Sequence, residues 1–515
     1  MKQLIYILLI LSAVFSQELP KGFTPDEWLN RHTIQDMSRE TDPPPGPIRN
    51  IAEYERMQGV LIRYPLGIST AIIREMAEDV IVYCLVSNSQ QNSAYNALNN
   101  ADVNMDNVEF VIGSTDSYWT RDYGPWYVVD GDRNVSVVDF TYNRPRPNDN
   151  QAPYKMSQHL NSPYFSTDLV HAGGNYMTDG YGGAASTTLV YEENSISDNA
   201  VDNIMEEYYG ITNYHVVEDP NNEYIDHIDC WGKFLSPSKL LIRQVSQSHP
   251  QYDEIEEVVD YFESQLNAFG EPWEIFRVYT QNDQPYTNST ILNNKVLVPI
   301  TGSGWDDDAL EVYEEALPGY EVLGFTGSWY STDALHCRTK GIPDLEMLQI
   351  FHNPINDQDM PQNNFEVLAV IDDLSEAGLI EDELYLGWKN SNMNDYEIVQ
   401  LEESTGENEY VAYIPTQLSD TEVHYYIHAV DNTGREEYLP MAGYFSFTAI
   451  GGTPTQQGDI NMDDLINVLD IVLMVNYILN LTDLSDYQIQ LADMNQDGIV
   501  NILDVITLVN SILEG

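Results

Sequence analysis

The chain has 515 residues, a length typical of about three domains, and its 43% hydrophobic content is enough for several cores. It carries 22 Lys and Arg against 82 Asp and Glu, and this formal net charge of -60 would repel nucleic acids and anionic membranes. Such acidity is typical of a solvated surface in salty water, and it would also attract cationic substrates and Ca²⁺.

The N-terminus has the pattern of an export signal. A positive region at Lys2 precedes an apolar core that ends at Phe15, so the sequence predicts a signal peptide over residues 1–16. No later apolar run approaches the roughly 18 to 20 residues that span a bilayer, and we expect a secreted, extracellular protein. Residues 17–49 are polar and rich in proline, which predicts an N-terminal arm or pro-segment.

Residues 50–354 alternate apolar strand-like runs with helix-like stretches, the pattern of an α/β domain. Several motifs in this region differ from ordinary loops. DSYWTRDYGPW sets Asp122 between two tryptophans, TYNRPRPNDN carries Arg144 and Arg146, and HAGGNYMTDG combines paired glycines with Asp179. With YTNST, these motifs supply carboxylates, arginines and aromatic walls, and they include no pattern for nucleotide, haem or zinc.

The stretch EYIDHIDCWGKF, residues 223–234, reads as a β-strand. Alternation would place His227 and Asp229 on one face and a core face opposite, leaving room for a planar cation between an imidazole and a carboxylate. A His-x-Asp pair of this kind is also common where both residues have only a structural role. The chain has three cysteines, of which Cys84 and Cys230 lie in apolar settings and Cys337 lies in a loop-like one. Cys337 is therefore the candidate nucleophile.

Two further modules are predicted after the α/β region. Short alternating strands over residues 363–450 resemble an immunoglobulin-like β-sandwich. A linker at 451–457 leads to residues 458–515, where a loop with oxygen-bearing side chains runs into an apolar helix twice. The predicted Ca²⁺ ligands are Asp459, Asn461, Asp463, Asn467 and Asp470 in the first loop, and Asp493, Asn495, Asp497, Asn501 and Asp504 in the second.

This repeat resembles a dockerin-type module. The resemblance implies a small α-helical domain that folds on two structural Ca²⁺ ions and docks to a cohesin-like partner, which would tether the protein to a cell surface. The apolar pair Val468-Leu469 and its counterpart Ile502-Leu503 stand where dockerins often carry hydroxyl residues for partner recognition. The type of partner is therefore open.

The motifs of the α/β region occur in the order WTRDYGPW, HAGGNYMTDG, HID, YTNS and ALHCRTKGIP. In this set the chain resembles the bacterial (Porphyromonas-type) peptidylarginine deiminase and agmatine deiminase family of the guanidine-modifying (pentein) superfamily. The resemblance covers residues 51–353 and implies a five-bladed α/β-propeller with pseudo-fivefold symmetry. It implies no cofactor for catalysis.

The resemblance also assigns roles to single residues. It implies Cys337 as the nucleophile, His227 as the general acid and base, and Asp122 and Asp229 as the carboxylates that hold a guanidinium. The residues that it implies for substrate binding are Trp119, Arg144, Arg146, Asp179, Tyr224, Asn288 and Thr332. In the peptidylarginine branch, arginines at the matching stretch bind the α-carboxylate of the substrate.

Three functions are compatible with these features. The first is a secreted enzyme that converts peptidyl arginine, preferably at a C-terminus, to citrulline and ammonia through a Cys thiouronium intermediate. The second is an agmatine deiminase, which the export signal and the appended modules disfavour. The third is a non-catalytic, Ca²⁺-dependent adhesin, which the complete set of Cys, His and Asp residues disfavours.

Overall fold

The computed structural model describes residues 19–452, 457–462, 465–479, 481–484 and 486–514. The predicted signal peptide, most of the predicted linker and the predicted ligand Asp463 lie outside these residues. The chain forms two compact units. The first extends to Met347 and includes residues 373–376 and 441–443, and the second comprises 348–372, 377–440 and the residues from 444 onward.

The first unit is a mixed α/β structure. Its strands are β1 (Arg49–Asn50), β2 (Met57–Arg63), β3 (Ile81–Val86), β4 (Val108–Ile112), β5 (Trp126–Val129), β6 (Val135–Tyr142), β7 (Tyr164–His171), β8 (Met177–Thr178), β9 (Gly183–Thr187), β10 (Asn213–Val217), β11 (Gly232–Phe234), β12 (Lys239–Gln244), β13 (Glu274–Tyr279), β14 (Thr290–Leu292), β15 (Lys295–Ile300), β16 (Glu321–Thr326) and β17 (Lys340–Pro343). Its helices are α1 (Pro25–Asn30), α2 (Thr70–Asp79), α3 (Gln91–Asn99), α4 (Thr120–Tyr123), α5 (Ala152–Leu160), α6 (Leu189–Glu192), α7 (Asp198–Tyr209), α8 (Tyr252–Glu263) and α9 (Asp306–Ala316).

Within the described residues, the strands of this unit form five small sheets with the orders β1-β5-β6-β7, β10-β9-β8, β11-β12-β13, β14-β15-β16 and β17-β2-β3-β4. Each sheet joins an antiparallel pair to a parallel pair. In each sheet, the chain segment that connects one strand to the next parallel strand contains a helix, as a parallel connection usually does. The same supersecondary pattern is therefore repeated along the unit.

Helix α8 shows why these connections pack onto the sheets. Its apolar residues Ile255, Val258, Val259 and Phe262 follow the helical period and are buried, and the acidic residues between them face away. The buried face contacts Trp231 and Leu240 in one core cluster.

The last strand of the unit returns to its beginning. Strand β17 pairs antiparallel with β2, where Gly341 lies opposite Val60. The segment that carries Cys337 immediately precedes β17, so it is fixed against the N-terminal part of the unit.

The strand predicted over residues 223–234 is wrong in its first part. Residues Ile228–Cys230 form a single 3₁₀ turn, and β11 begins only at Gly232. Asp226 has a positive φ of 48°, which breaks an extended chain just before His227. The alternation into a chemical and a core face also fails, because residues 227–235 are all buried.

The second unit begins with two sheets around one core. Its strands are β18 (Leu348–Phe351), β19 (Asn364–Asp373), β20 (Tyr385–Asn390), β21 (Glu397–Gln400), β22 (Glu402–Glu403), β23 (Glu409–Pro415), β24 (Thr421–Val430), β25 (Glu436–Leu439) and β26 (Phe445–Ala449). The sheet orders are β18-β19-β23-β22 and β21-β20-β24-β25, with β26 also paired to β24. Side chains of both sheets, including Phe365 and Tyr425, share a single cluster. This arrangement follows the alternating pattern in the sequence.

The helices α10 (Val468–Ile478), α11 (Asp486–Ala492) and α12 (Ile502–Glu514) follow. Met474 of α10 and Leu508 of α12 are fully buried in a small core with Ile460. No helix among the described residues has the length and apolar character that crossing a bilayer requires.

Candidate active site

Four short segments bring the candidate catalytic residues together in the first unit. Asp122 lies in α4, and Gly173–Asn175, Ile228–Cys230 and His336–Arg338 are 3₁₀ turns. Helix α4 contacts the first and last of these turns, and the first also contacts the second. Each turn lies next to a strand in the chain, so the sheets fix the positions of the turns.

Cys337 is fully buried, and polar groups surround its sulfur. Asn288 Nδ2 donates to Cys337 Sγ at 3.2 Å, and Asn288 Oδ1 accepts from the backbone N–H of Cys337 at 3.3 Å. The thiol lies 3.6 Å from Asp229 Oδ2. Asn288 therefore orients both the main chain and the sulfur of the candidate nucleophile.

His227 and Asp122 face each other beside a glycine. His227 Nδ1 is 3.6 Å from Asp122 Oδ1. A Cβ on Gly174 would lie 2.6 Å from each of these two atoms and 3.2 Å from Asp229 Oδ2. Only a glycine at position 174 leaves enough space for the two carboxylates and the imidazole to lie this close together.

Several polar atoms in this space are buried without a hydrogen-bond partner. Among the described residues these include Asp122 Oδ1 and both ring nitrogens of His227. Because unpaired buried polar atoms are costly, they indicate a site that a ligand completes.

Lys21, from the N-terminal arm, enters this site. Lys21 Nζ donates to Cys337 Sγ at 2.7 Å and to the Thr332 carbonyl at 2.8 Å. It lies 4.0 Å from Asp122 Oδ2, and the side chains of both residues are 2% exposed. A cation therefore stands beside the sulfur and the carboxylate.

Arg144 and Arg146 are buried and hold the main chain on either side of Lys21. Arg144 Nε donates to the Lys21 carbonyl at 3.2 Å. The Arg146 guanidinium donates to the carbonyls of Pro20 at 2.7 Å and Gly22 at 3.1 Å. Arg144 thus binds the carbonyl oxygen of the residue in the cation site, and Arg146 binds those of the residues before and after it.

The remaining predicted binding residues divide into two groups. Arg146 lies over the buried ring of Trp119, and the hydroxyl of the exposed Tyr224 is 3.4 Å from Thr332 Oγ1. Trp119, Tyr224 and Thr332 are thus connected to the segment around Lys21. Asp179 has a local role instead, because its carboxylate accepts the backbone N–H groups of residues 181 and 183 in its own turn.

A charged network behind Asp229 was not recognised in the sequence. His336 Nδ1 is 2.7 Å from Asp229 Oδ2, and His336 Nε2 is 2.6 Å from Glu53 Oε2. Glu53 also pairs with Arg121 at 3.0 Å and with Lys233 at 2.9 Å. His336 stands directly before Cys337 in the sequence, and this adjacency is the signal that could have identified it; Glu53 lies in no motif.

Burial and charge set the protonation of the site. Burial and Asp229 raise the pKa of the Cys337 thiol, although Lys21 acts against them. Burial, reinforced by Lys21, holds the pKa of His227 well below its usual value. While Lys21 occupies the site, these shifts favour a neutral His227 imidazole and a protonated Cys337 thiol.

The carboxyl groups of Asp122 and Asp229 differ in the direction of their pKa shifts. Burial raises the pKa of Asp122 to about 7, even though Lys21 lowers it. Burial also opposes ionisation of Asp229, but Lys21 and the hydrogen bond from His336 hold the pKa of that carboxyl below its usual range. Asp229 is therefore the permanent negative charge of the site, and Asp122 is the carboxyl that can change state near neutral pH.

The predicted Ca²⁺ loops in the second unit are built around two buried carboxylates. Asp470 accepts the backbone N–H groups of Ile460 and Asn461 on Oδ1 and that of Asn467 on Oδ2. Asp504 repeats this with Asn495 and Asn501. Asp493 and Asp497 accept backbone N–H groups within the second loop.

The donor set of these loops consists of carboxylate and amide oxygens, which are the ligands that Ca²⁺ prefers. Asp459, the first predicted ligand of the first loop, is buried. Within the described residues, no group of three or more acidic, His or Cys side chains converges as a metal cluster. The chemistry of the loops fits Ca²⁺, and the two-site geometry stays a prediction.

Comparison with known proteins decides the family. A sequence model of the Porphyromonas-type peptidyl-arginine deiminase matches residues 63–343, more than half of the chain. The chain belongs to that family. Members of this family are hydrolases that act on the C–N bonds of guanidino groups, and this is the class of the present enzyme. A dockerin type I model matches residues 457–513.

Curated relatives of this deiminase-family chain are described as agmatine deiminases. A putative agmatine deiminase of Mycoplasma capricolum is 25% identical over 286 residues, which cover 47% of this chain and 76% of the relative. The agmatine deiminase of Medicago truncatula is 24% identical over 276 residues and is covered to 73% of its length, with 42% of this chain.

Solved structures share the fold. A putative arginine deiminase from Porphyromonas gingivalis has a TM-score of 0.52 at 18% identity, covering 57% of this chain and 98% of that one. The agmatine deiminase of Enterococcus faecalis has a TM-score of 0.51 at 19% identity, covering 60% and 97%. The resemblance to guanidine-modifying enzymes in fold is thereby confirmed.

Proposed function

We propose that this protein is a peptidyl-arginine deiminase that converts the arginine of a peptide, preferably a C-terminal one, to citrulline and ammonia. The observation that carries this proposal is the hydrogen bond from Arg144 Nε to the carbonyl of Lys21, the residue whose side chain occupies the cation site. A peptidyl or C-terminal arginine has an oxygen at this position, and agmatine has none. A C-terminal carboxylate would add a charge-assisted bond.

The carboxylates fix the substrate. Asp122 and Asp229 each accept N–H groups of the guanidinium, which holds its plane against the sulfur of Cys337. His227 takes the thiol proton as the sulfur attacks the central carbon, and a tetrahedral adduct forms. Because the resting thiol is protonated, this transfer is part of the first step.

Both half-reactions then use the same imidazole. His227 gives its proton to the departing nitrogen, the C–N bond breaks, and ammonia leaves a thiouronium on Cys337. Water loses a proton to His227 and adds its oxygen to the carbon. The S–C bond breaks, the hydroxyl proton of the adduct restores the thiol, and the ureido group of citrulline is released. His227 gives its extra proton to ammonia or solvent and returns to its neutral form.

The experiment compares three substrates on the full chain. We measure kcat/KM for a peptide that ends in arginine, for the amide of the same peptide and for agmatine. We expect the acid to be preferred by roughly tenfold or more over both others, which corresponds to one charge-assisted bond. Cys337→Ala should abolish ammonia release, whereas near-normal release by that variant contradicts the mechanism.

Agmatine deiminase is the second candidate, because curated relatives carry that name. It predicts agmatine as the best substrate and no effect of Arg144→Ala on agmatine turnover. An Arg144→Ala/Arg146→Ala variant that loses the preference for the acid over the amide supports the peptidyl-arginine assignment.

The architecture around the site is part of the proposal. The five repeated sheets of the first unit support a five-bladed, pseudo-symmetric propeller over residues 50–354. Two sheets around one core support an immunoglobulin-like sandwich over 363–450. The dockerin match supports a linker at 451–457, a Ca²⁺-binding module at 458–515, a cohesin-like partner and an extracellular location.

A further inference from the structure

The N-terminal arm contacts the candidate active site through residues 20–23 and again through Glu27. Lys21 reaches Cys337, and Arg144 and Arg146 bind the carbonyls of residues 20 to 22. At the far end, Glu27 Oε1 accepts from Arg146 Nε at 2.7 Å. The cleft thus contacts both the side chains and the main-chain carbonyls of this segment, as a protein does when it binds a peptide.

The residues after Lys21 fit the surface closely. A Cβ on Gly22 would lie 2.7 Å from the ring of Tyr224, so a side chain at this position would force the ring away. The Arg144 guanidinium lies 4.4 Å from the centroid of the Phe23 ring, within the range of a cation–π contact. Thr24 then caps α1, whose Glu27 reaches Arg146.

Lys21 occupies the position that the proposed reaction assigns to the substrate cation. Its ammonium contacts the sulfur and the Thr332 carbonyl and faces Asp122. Burial opposes its charge, but neighbouring acidic groups, Asp122 first, raise the pKa of Lys21 well above its usual value. A lysine has no carbon bonded to three nitrogens, so Cys337 has no electrophile to attack.

We propose that residues 20–27 are an intramolecular pseudosubstrate, which inhibits the deiminase by competing with substrate until the segment is displaced or removed. This proposal rests on the proposed function, because Lys21 stands for the arginine of a substrate. A tethered segment acts at an effective concentration in the millimolar range, so peptides at lower concentrations compete poorly with it. The same contacts show how the cleft holds a peptide: a basic residue lies in the cation site with its own carbonyl on Arg144, and the carbonyls of the residues before and after it lie on Arg146.

The first test replaces the cation. Lys21→Ala should raise kcat/KM for an arginine peptide by about tenfold or more, because the substrate no longer competes with a tethered ammonium. Arg31→Ala is the matched control, since Arg31 is an exposed cation on the same arm whose guanidinium donates to Trp28. Equal kcat/KM for wild type, Lys21→Ala and Arg31→Ala would overturn the proposal.

The second test makes the segment a substrate. In Lys21→Arg, the guanidinium is presented to Cys337 in cis, so we expect citrulline at position 21, detected by the mass change when =NH becomes =O. Its rate should not depend on protein concentration, because the reaction is intramolecular. The Lys21→Arg/Cys337→Ala double variant should stay unmodified. An unmodified Lys21→Arg protein that is active on arginine peptides would count against the pseudosubstrate.

A third measurement does not depend on turnover. The segment covers Cys337, so iodoacetamide should alkylate Cys337 about tenfold or more faster in Lys21→Ala than in wild type, while Cys84 labels slowly in both. If alkylation accelerates but neither arginine peptides nor agmatine react, the proposed function fails and the covering role of the segment stands. If alkylation is equally slow in both proteins, the covering role fails.

Discussion

Asp122 is the residue at which the site should respond to pH. Burial raises its pKa to about 7, whereas the guanidinium of a substrate needs its carboxylate form. We therefore expect kcat/KM for an arginine peptide to rise with pH through about 7 as Asp122 loses its proton. A pH–rate profile of the full chain measures this midpoint. An activity that falls over this range would contradict the assignment.

The raised pKa of Asp122 also makes the free energy of unfolding depend on pH. The folded protein keeps a proton on Asp122 that the unfolded chain releases near its ordinary pKa of about 3.9. Between that value and about 7, the contribution of Asp122 to the free energy of unfolding therefore decreases as the pH rises. Lys21 lowers the pKa of Asp122, so Lys21→Ala should move the midpoint of the activity profile to higher pH.

At the residue scale, the sequence motifs predicted which side chains would meet. Cys337, Asp122 and the pair His227 and Asp229 come from three separate motifs, and the structure places them in one buried cluster. Lys21 and Glu53 could not be found in this way. Their positions depend on how a proline-rich arm and the segment between β1 and β2 pack onto a completed fold, and no local pattern encodes that packing.

At the scale of elements, the turn Gly173–Asn175 leaves no room for a side chain at Gly174. Gly174→Ala would push Asp122 and His227 apart, because its Cβ would lie 2.6 Å from an atom of each. A displacement of about 1 Å in a reacting group costs roughly 100-fold, so we expect at least that loss in kcat with the fold retained. Steady-state kinetics and the melting temperature together check this.

Gly304→Ala is the control for that variant. A Cβ on Gly304 has no heavy atom within 4 Å, so the substitution should leave kcat unchanged. A Gly174→Ala enzyme with normal kcat would show that the close approach of Asp122 and His227 is not needed for turnover.

The segment 223–234 shows where element prediction fails. A polar residue at every second position is the pattern of a half-buried strand, but the 3₁₀ turn Ile228–Cys230 has three residues per turn and interrupts that period. Only Gly232–Phe234 is a strand, and the preceding turn directs Asp229 towards His336. The helical and strand runs flanking it were readable, because their apolar periods extend over more residues.

At the scale of the whole molecule, the dockerin-type module should bind Ca²⁺ independently of the chemistry at Cys337. We expect calorimetry of the full chain to show uptake of about two ions, and Asp470→Asn or Asp504→Asn to remove one each, because an Asn oxygen is a neutral and weaker ligand. Chelation should leave kcat on an arginine peptide unchanged. No uptake by the wild type would contradict the assignment of the loops.

The formal net charge of -60 acts on the molecule as a whole. A field of this sign draws arginine peptides towards the surface and accelerates their encounter, and salt weakens that effect. Composition predicted this much. It could not predict that the few cations of the chain, such as Arg144 and Arg146, would be buried where an arm is bound.

Because β17 pairs with β2, the candidate active site can assemble only after nearly all of the first unit has been synthesised. Val60 leaves the ribosome long before Gly341, its partner across the two strands, so this ladder is among the last non-local contacts that the unit can form. Cys337 directly precedes β17 in the chain. A nascent or partly unfolded chain therefore has no assembled thiol site until β17 joins the sheet β17-β2-β3-β4.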